Sequence, residues 1–362
     1  MRIAQVAPLW ESVPPKLYGG TERVVSYLTE ELVRLGHDVT MFASGDSITT
    51  ARLESVCSHA LRLHKGIFNR EAAMMMQMEQ ALGNLSDFDL IHSHLDFLGF
   101  PFARRNPTPT VATFHGRLDL PELEPVFREY GELPIVSISD AQRRPVSWAN
   151  WQATVYHGLP RDLYGVHPSP GGYLAFLGRI AFEKRPDHAI ELAKRVGIPL
   201  RIAAKVDPTD QEYFHTEIEP LLSDPLIEFM GEITDAEKNE FLGNATALVC
   251  PYDWPEPFGL VLIEALACGT PVLAYRRGSI PEIIEDGVTG FISEGLDEMT
   301  AAVQRIPEID RRRCRKTFEQ RFSAERMAQD YIRVYEQALG NTCERGAETT
   351  NFISWPIFSP SV

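Results

Sequence analysis

The stretch from residue 251 to residue 272 constrains the fold more than any other part of the sequence. It follows an apolar run, residues 247–249, of the kind that forms a buried parallel strand. Three prolines exclude regular structure up to Pro257, which suits a first helical turn. Residues 258–268 are mostly good helix formers, and Gly269 followed by Pro271 ends the helix. The stretch therefore predicts a strand, a loop and a helix in succession, as α/β folds contain.

Two glutamates bracket the start of this helix. Glu256 stands just before it, and Glu264 lies about two turns inside. Eight helical residues span about 12 Å and leave the carboxylates about 80° apart, so they can hold two ends of an elongated polar ligand. The N–H groups around Phe258, Gly259 and Leu260 form a positive helix terminus that suits a phosphate. Together these features predict a site for a sugar nucleotide.

From Glu256 to Glu264 the sequence resembles the Glu-x7-Glu motif of the retaining glycosyltransferases of family 4, also called glycosyltransferase group 1. The surrounding Pro-Glu-Pro-Phe-Gly-Leu and Glu-Ala-Leu-Ala-Cys-Gly-Thr-Pro-Val are close to the family's usual form. The resemblance covers about residues 1–340 and is stronger in the second half. It implies the GT-B fold, an α/β architecture of two Rossmann-like, doubly wound parallel-sheet domains facing a cleft. It also implies that Glu264 binds the ribose and Glu256 the hydroxyls of the donor sugar.

A second element of the resemblance supplies positive charge. Gly178, Arg179 and Lys184 follow an apolar strand and look like the family's Gly-Arg-x4-Lys element, although Arg185 and Pro186 stand where the family often has glycine. Two fixed cations at the carboxyl end of a strand would hold a diphosphate and stabilise the charge that grows as it leaves. A solvated ion pair is the structural alternative.

The first half contributes a glycine turn and a histidine. Gly19 and Gly20 do not form a dinucleotide fingerprint, but as a tight turn they resemble the family's first glycine-rich loop, with N–H groups facing a phosphate or sugar. A purely structural turn is the alternative. His115 ends a strand in a Thr-Phe-His-Gly sequence that the family shares, so we expect it to face the donor sugar. His92 and His94 lack carboxylates or cysteines at ligand spacing, and no metal site is expected.

The proline- and glycine-containing stretch 160–172 predicts a passage between domains. We expect an N-terminal, acceptor-side Rossmann-like domain over residues 1–168 and a donor-binding domain over 169–323. The resemblance implies that a helix at about 324–340 crosses back onto the first domain. Residues 341–362 are expected to form a loosely held tail.

Composition narrows the functional class. A net charge of −15 argues against a nucleic-acid binder. The basic run 311–316 is expected to be a solvated helix face, and contact with an anionic membrane surface is its alternative. Five cysteines without C-x-x-C spacing fit reduced thiols. With no signal peptide and no apolar run of about 18 residues, a cytoplasmic location is expected, with the inner face of a membrane as an option.

The expected function is hexosyl transfer from a nucleoside-diphosphate sugar to an unidentified acceptor, which is a saccharide, a lipid-linked molecule or a small molecule. UDP-sugars are the commonest donors in the family, and no cofactor beyond this co-substrate is expected. Two alternatives stay open at this point. One is a GT-B epimerase or phosphorylase, although nothing singles out a Schiff-base lysine for the latter. The other is a non-catalytic module that binds a sugar nucleotide.

Overall fold

The computed structural model describes residues 1–62, 69–83 and 87–345, and it contains two parallel sheets. The first half comprises the strands β1 (Arg2–Val6), β2 (Asp38–Phe42), β3 (Arg52–Glu54), β4 (Leu90–Ser93), β5 (Thr110–Thr113), β6 (Ile135–Ser137) and β7 (Trp151–Thr154), with the helices α1 (Gly20–Arg34), α2 (Arg70–Gly83), α3 (Phe100–Ala103), α4 (Leu123–Glu129) and α5 (Asp140–Arg143). The strand order is β3-β2-β1-β4-β5-β6-β7, and every described pairing is parallel. Because helices cover both faces of such a sheet, its central strands are buried.

The second half repeats the same plan. It comprises the strands β8 (Tyr173–Ile180), β9 (Leu200–Val206), β10 (Ile227–Gly231), β11 (Ala245–Cys250), β12 (Val272–Tyr275) and β13 (Gly290–Ser293), with the helices α6 (Pro186–Val196), α7 (Gln211–Tyr213), α8 (Asp235–Gly243), α9 (Leu260–Ala267), α10 (Ile280–Ile283), α11 (Leu296–Val303) and α12 (Arg311–Arg321). The order is β10-β9-β8-β11-β12-β13, again parallel. Strand order reverses at β1 and at β8, where doubly wound sheets open a crevice for ligands.

The last helix, α13 (Ala324–Arg345), returns to the first half. Met327, Tyr331 and Tyr335 are fully buried in one apolar cluster with Ile3 and Val24 of the first sheet and α1. The helix runs five residues further than the expected 340, and residues 346–362 of the expected tail lie outside the described residues. The domain boundary at 168/169 stays a prediction.

The basic run 311–316 is only in part the expected solvated face: Arg312, Arg313 and Lys316 are exposed, whereas Arg311 and Arg315 point inward. Arg311 is 8% exposed and donates hydrogen bonds to the carbonyl oxygens of His167 (2.7 Å) and Gly243 (2.6 Å). One helical turn later, Arg315 donates to the carbonyl oxygen of Ala267 (2.8 Å). Their i, i+4 spacing puts both guanidinium groups on the inner face of α12, where they satisfy carbonyl groups at the ends of other elements.

Across the described part of the chain, no helix is both long enough and apolar enough to cross a lipid bilayer.

Candidate active site

A cleft of about 590 Å³ lies between the two sheets and is lined by both halves of the chain. The structure brings every site residue predicted from the sequence to this cleft, namely Gly19, Gly20, His115, Arg179, Lys184, Glu256, Phe258, Gly259, Leu260 and Glu264. They come from the loop before α1, the end of β5, the end of β8, the residues just after it and the start of α9. The site therefore exists only when both halves are folded and face each other.

The helix predicted to begin at Phe258 begins at Leu260 instead. Gly259 has φ +84°, a left-handed conformation that interrupts helical geometry, and a Cβ there would lie 3.0 Å from Leu262 Cδ1. The side chain of Phe258 is buried against the ring of His157, with 4.7 Å between the ring centroids. Phe258 is therefore a core residue whose backbone passes the cleft.

Because α9 begins later than predicted, the two glutamates are not separated by a continuous helix. Glu256 lies in the loop before Gly259, whereas Glu264 is the fifth residue of α9. The estimate of about 12 Å between them assumed one continuous helix and does not apply. Both glutamates are buried: Glu256 is 7% exposed and Glu264 is 2% exposed.

Glu256 holds Lys184 in an ion pair at the start of α9. Its carboxylate also accepts a hydrogen bond from Trp254 Nε1 (3.1 Å). The Lys184 ammonium lies 4.0 Å from the centre of the Tyr252 ring and 4.9 Å from that of Trp254. A carboxylate and two aromatic faces thus fix one cation beside the helix terminus.

Arg179 lines the cleft but is already engaged by carboxylates. Its guanidinium contacts Glu183 (2.6 Å) and Asp210 (3.3 Å). The sequence analysis missed a third cation here, Lys205, which pairs with Asp207 and whose side chain is 11% exposed. The signal that could have found it is its position at the carboxyl end of β9, beside β8.

Glu264 takes part in a charged network that crosses the cleft. Lys238 Nζ lies 2.9 Å from Glu264 Oε1 and 3.2 Å from an oxygen of Asp235. Asp235 in turn pairs with Arg23, which belongs to α1 in the other half. The second oxygen, Glu264 Oε2, is buried and has no hydrogen-bond partner among the described residues. A ligand hydroxyl would satisfy that oxygen.

The starts of α1 and α9 face each other across the cleft. A Cβ on Gly19 would lie 2.7 Å from Pro15 Cβ, so the loop has no room for a side chain there. A Cβ on Gly20, the first residue of α1, would lie 3.5 Å from Leu260 Cδ1. Each helix start carries a partial positive charge, and the two converge on the same space. An anion is favoured between them.

His115 follows β5 and faces the cleft from the first half. Burial lowers its pKa to about 3, so the imidazole is neutral at physiological pH. Its Nε2 lies 2.9 Å from Nδ1 of His94, and its ring stacks on that of His157 with 5.2 Å between centroids. The sequence analysis did not assign His94 or His157 to this site. Among the described residues, no group of three or more histidine, cysteine or acidic side chains is arranged to hold a metal ion.

Similar folds are found among solved structures. AviGT4, a glycosyltransferase involved in avilamycin A biosynthesis, superposes with a TM-score of 0.72 at 22% identity over 94% of this chain and 98% of its own. Anabaena Alr3699/HepE, solved in complex with UDP and glucose, gives a TM-score of 0.72 at 16% identity over 93% of this chain and 99% of its own. Two Rossmann-like domains around this cleft define the GT-B fold.

The sequence comparisons narrow the class to a family. The model described as Glycosyltransferase Family 4 matches residues 18–155, and the model described as Glycosyl transferases group 1 matches residues 166–320. The phosphatidyl-myo-inositol mannosyltransferase of Mycolicibacterium smegmatis is 26% identical over 387 aligned positions, which cover 94% of this chain and 95% of that protein. The chain belongs to the group 1 glycosyltransferases of family 4, and it is an enzyme of the hexosyltransferase type.

Proposed function

We propose that this glycosyltransferase moves a hexose from a UDP-sugar to its acceptor with retention of the anomeric configuration and without a metal ion. The observation that carries the proposal is the Lys184–Glu256 pair beside the start of α9, opposite the start of α1 and His115. This arrangement provides a cation and two helix starts for a diphosphate. It also provides a carboxylate and a neutral imidazole for a sugar.

Each predicted residue has a place in this proposal. Arg179, Lys184 and the N–H groups at the helix starts bind the diphosphate. Glu256 accepts hydrogen bonds from hydroxyls of the sugar, and His115 contacts the sugar from the opposite wall. The unpartnered oxygen of Glu264 accepts a hydrogen bond from the ribose.

In the transfer step, the bond between the anomeric carbon and the diphosphate oxygen breaks and negative charge grows on the diphosphate. Lys184 and Arg179 stabilise that charge more strongly than they stabilise the ground state, which lowers the barrier. The acceptor oxygen attacks the anomeric carbon from the face that the diphosphate leaves. Its proton passes to the departing phosphate, so the configuration is retained without a covalent enzyme intermediate.

The cations of the cleft support the proposal that no metal is required. Lys184, Arg179 and Lys205 all line it, and a diphosphate that replaces their carboxylate partners would meet the positive charge that a divalent ion provides in other sites. We therefore expect full activity in the presence of EDTA. A loss of activity that Mg²⁺ or Mn²⁺ restores would contradict this part of the proposal.

The acceptor stays open among a saccharide, a lipid-linked molecule and a small molecule. The Mycolicibacterium relative is named for a lipid-linked acceptor, and this supports testing membrane-derived acceptors alongside soluble ones. The proposed location is cytoplasmic, at the inner face of a membrane if the acceptor is lipid-linked. An epimerase, a phosphorylase or a non-catalytic module is not favoured, because AviGT4 and the mannosyltransferase are both transferases by name.

The donor is tested by thermal shift with UDP-, GDP- and ADP-linked glucose, galactose and mannose. A ligand at about 100 times its Kd stabilises the folded chain by about 2.7 kcal/mol, which is easily seen as a higher Tm. We expect selective stabilisation by a UDP-sugar, which the UDP bound to the similarly folded HepE supports. Selective stabilisation by a GDP- or ADP-sugar would contradict the base assignment, and no stabilisation by any of them would contradict the donor site.

The role of Lys184 is tested with Lys184→Ala. Loss of a cation that stabilises the leaving group should reduce kcat about 10²- to 10³-fold while the fold is kept. Lys194→Ala is the matched control, because Lys194 lies in the same half but pairs with Asp224 outside the cleft. Equal activities of the two variants would contradict the assignment.

A further inference from the structure

A chain of buried polar side chains lies directly behind His115. Nδ1 of His94 is 2.9 Å from Nε2 of His115, and Nε2 of His94 is 2.9 Å from Oε1 of Gln5. Gln5 and His94 are 0% and 1% exposed, so solvent does not compete for these bonds. Neither residue lines the cleft, and both reach the ligand space only through His115.

The hydrogen bonds in this chain have a direction. Gln5 donates through Nε2 to the hydroxyl of Tyr335 (3.1 Å), which leaves its Oε1 to accept. His94 must therefore donate through Nε2. A neutral imidazole carries one proton, so Nδ1 of His94 is an acceptor and receives the Nε2–H of His115.

The two histidines stay neutral because they are buried. Burial lowers the pKa of His94 well below its usual value, and the charges that His92 and His115 would carry lower it further. Burial alone lowers the pKa of His115 to about 3. With Nε2 protonated, Nδ1 of His115 carries the lone pair. That atom is buried and has no partner among the described residues.

We infer that Gln5 and His94 are positioning residues, which hold His115 as the Nε2-protonated tautomer so that Nδ1 accepts a hydrogen bond from a hydroxyl of the donor sugar. The inference rests on the proposed function for the identity of the ligand, but the tautomer itself is a property of the free protein. A sugar hydroxyl supplies the partner that buried Nδ1 lacks. Without His94, the proton can move to Nδ1 and the acceptor is lost.

The tautomer is measured on the unmodified chain, selectively labelled with ¹⁵N-histidine, by long-range ¹H–¹⁵N NMR, with His115→Gln identifying the His115 signals. We expect a protonated Nε2 and an unprotonated Nδ1. A protonated Nδ1 would overturn the inference whether or not any donor has been found. This measurement needs no donor and no variant of His94, so it is independent of the proposed function.

The functional consequence is measured with His94→Phe, which keeps a ring of similar size but removes both nitrogens. We expect kcat/KM for the donor identified by thermal shift to fall by about tenfold or more, because a hydrogen bond made by the sugar is lost. Gln77→Leu is the control. Gln77 is equally buried in the same half, at 1% exposed, but it donates to the carbonyl oxygens of Ala7 (2.8 Å) and Phe42 (3.0 Å) instead of taking part in this chain.

The two variants separate positioning from simple loss of packing. Positioning predicts that His94→Phe alone changes the His115 signals and reduces kcat/KM. Equal losses in both variants, or an unchanged His115 tautomer in His94→Phe, would overturn the inference. Should His94→Phe not fold, Gln5→Leu removes the acceptor for His94 and is expected to shift the same His115 signals.

Discussion

At the scale of single residues, charged side chains that line the cleft are paired with one another or with neighbouring carboxylates. Lys184 pairs with Glu256, Lys238 with Glu264, and Arg179 with Glu183. Buried charges need such partners, because an isolated charge in this environment is costly. Under the proposed function, a diphosphate would bind by exchange, taking cations that carboxylates already hold, and Glu256 would then become available to sugar hydroxyls.

Glu22 in the first turn of α1 allows a test of burial at one residue. Burial raises the pKa of this 5% exposed carboxyl from 4.5 to about 7. Between these values the folded chain holds a proton that the unfolded chain has released, so stability falls as pH rises from 4.5 to 7. The free energy of unfolding in urea should therefore favour Glu22→Gln over wild type more at pH 8 than at pH 4.5. This difference should grow by up to about 3 kcal/mol between the two pH values. The control is Glu124→Gln, an exposed side chain, and an equal difference in both would contradict the expectation.

The sequence predicted the site residues that belong to a recognisable contiguous motif. It did not predict those that reach the site through partners distant in the chain. Glu256, Glu264 and Lys184 carry recognisable spacing, and all three line the cleft. Lys238 is an ordinary helix lysine in sequence, and only the packing of α8 against α9 brings it to Glu264. Likewise, His94 is an isolated histidine until β1, β4 and β5 are placed side by side.

At the scale of elements, the turn before α10 supports the loop that carries Glu256. Gly278 has φ +52°, and a Cβ there would lie 2.3 Å from the carbonyl oxygen of Glu256 and 2.4 Å from its nitrogen. Next to it, Ser279 donates its N–H to the carbonyl oxygen of Glu256 (2.9 Å) and its hydroxyl to that of Phe258 (2.8 Å). The position of Glu256 therefore depends on an element outside its own motif.

Gly278→Ala should displace the Glu256 loop and reduce transfer by about tenfold or more, because small misplacements at a reacting centre are costly. Gly287→Ala is a matched control. Gly287 also has a left-handed φ of +72°, but a Cβ there meets nothing within 4 Å. Gly287→Ala should lose roughly 1–2 kcal/mol of stability from the strained backbone, and Gly278→Ala should lose more because its Cβ also meets the Glu256 backbone. Urea unfolding measures both losses. If transfer falls equally in both, close approach to Glu256 is not the cause.

Element types were predictable, whereas element ends were not. The apolar run, the prolines and the glycine stop of residues 247–271 predicted β11, its loop and α9, since these follow from periodicity and local turn chemistry. The start of α9 was wrong by two residues. Pro257 fits a first helical turn in isolation, but Gly259 turns left-handed and Phe258 packs against His157 of the other half. Tertiary packing decided the boundary.

At the scale of the whole molecule, direct contacts join the two halves around the cleft. Arg23 of α1 pairs with Asp235 of α8. The Glu282 carboxylate accepts hydrogen bonds from the N–H groups of Asp140 (2.8 Å) and Ala141 (2.7 Å) at the start of α5. These contacts connect the two walls of the cleft, and we expect them to favour a closed form that excludes water from an activated sugar.

Asp235→Asn should weaken closure, because the neutral amide loses most of the attraction to Arg23. We expect the ratio of donor hydrolysis to acceptor transfer to rise several-fold and the radius of gyration in solution scattering to increase. Glu308→Gln is the control, since its pair with Arg305 (3.0 Å) lies on the surface. An unchanged ratio in Asp235→Asn would show that this pair does not contribute to closure.

The buried histidines should make the fold sensitive to acid. Burial lowers the pKa of His92, His94, His115 and His157. Below about pH 6.5 the unfolded chain gains protons there that the folded chain does not, so stability falls as pH falls. His115 alone contributes about 1 kcal/mol between pH 6.5 and 5.5. Between pH 6.5 and 5.5, His115→Asn should lose less of its free energy of unfolding in urea than wild type does. His215→Asn, at an exposed histidine, is the control.

The position of α13 at the end of the chain affects when the site is completed during synthesis. Tyr331 and Tyr335 of α13 complete the polar layer beneath the histidines, through the hydroxyl of Thr113 (3.1 Å) and Nδ1 of His92 (2.7 Å). Because a ribosome makes the chain from its first residue, the sheet that carries His115 emerges long before the helix that seals it. We therefore expect a nascent chain to lack the finished His115 side of the cleft until translation has passed α13, and a prematurely terminated product to be inactive.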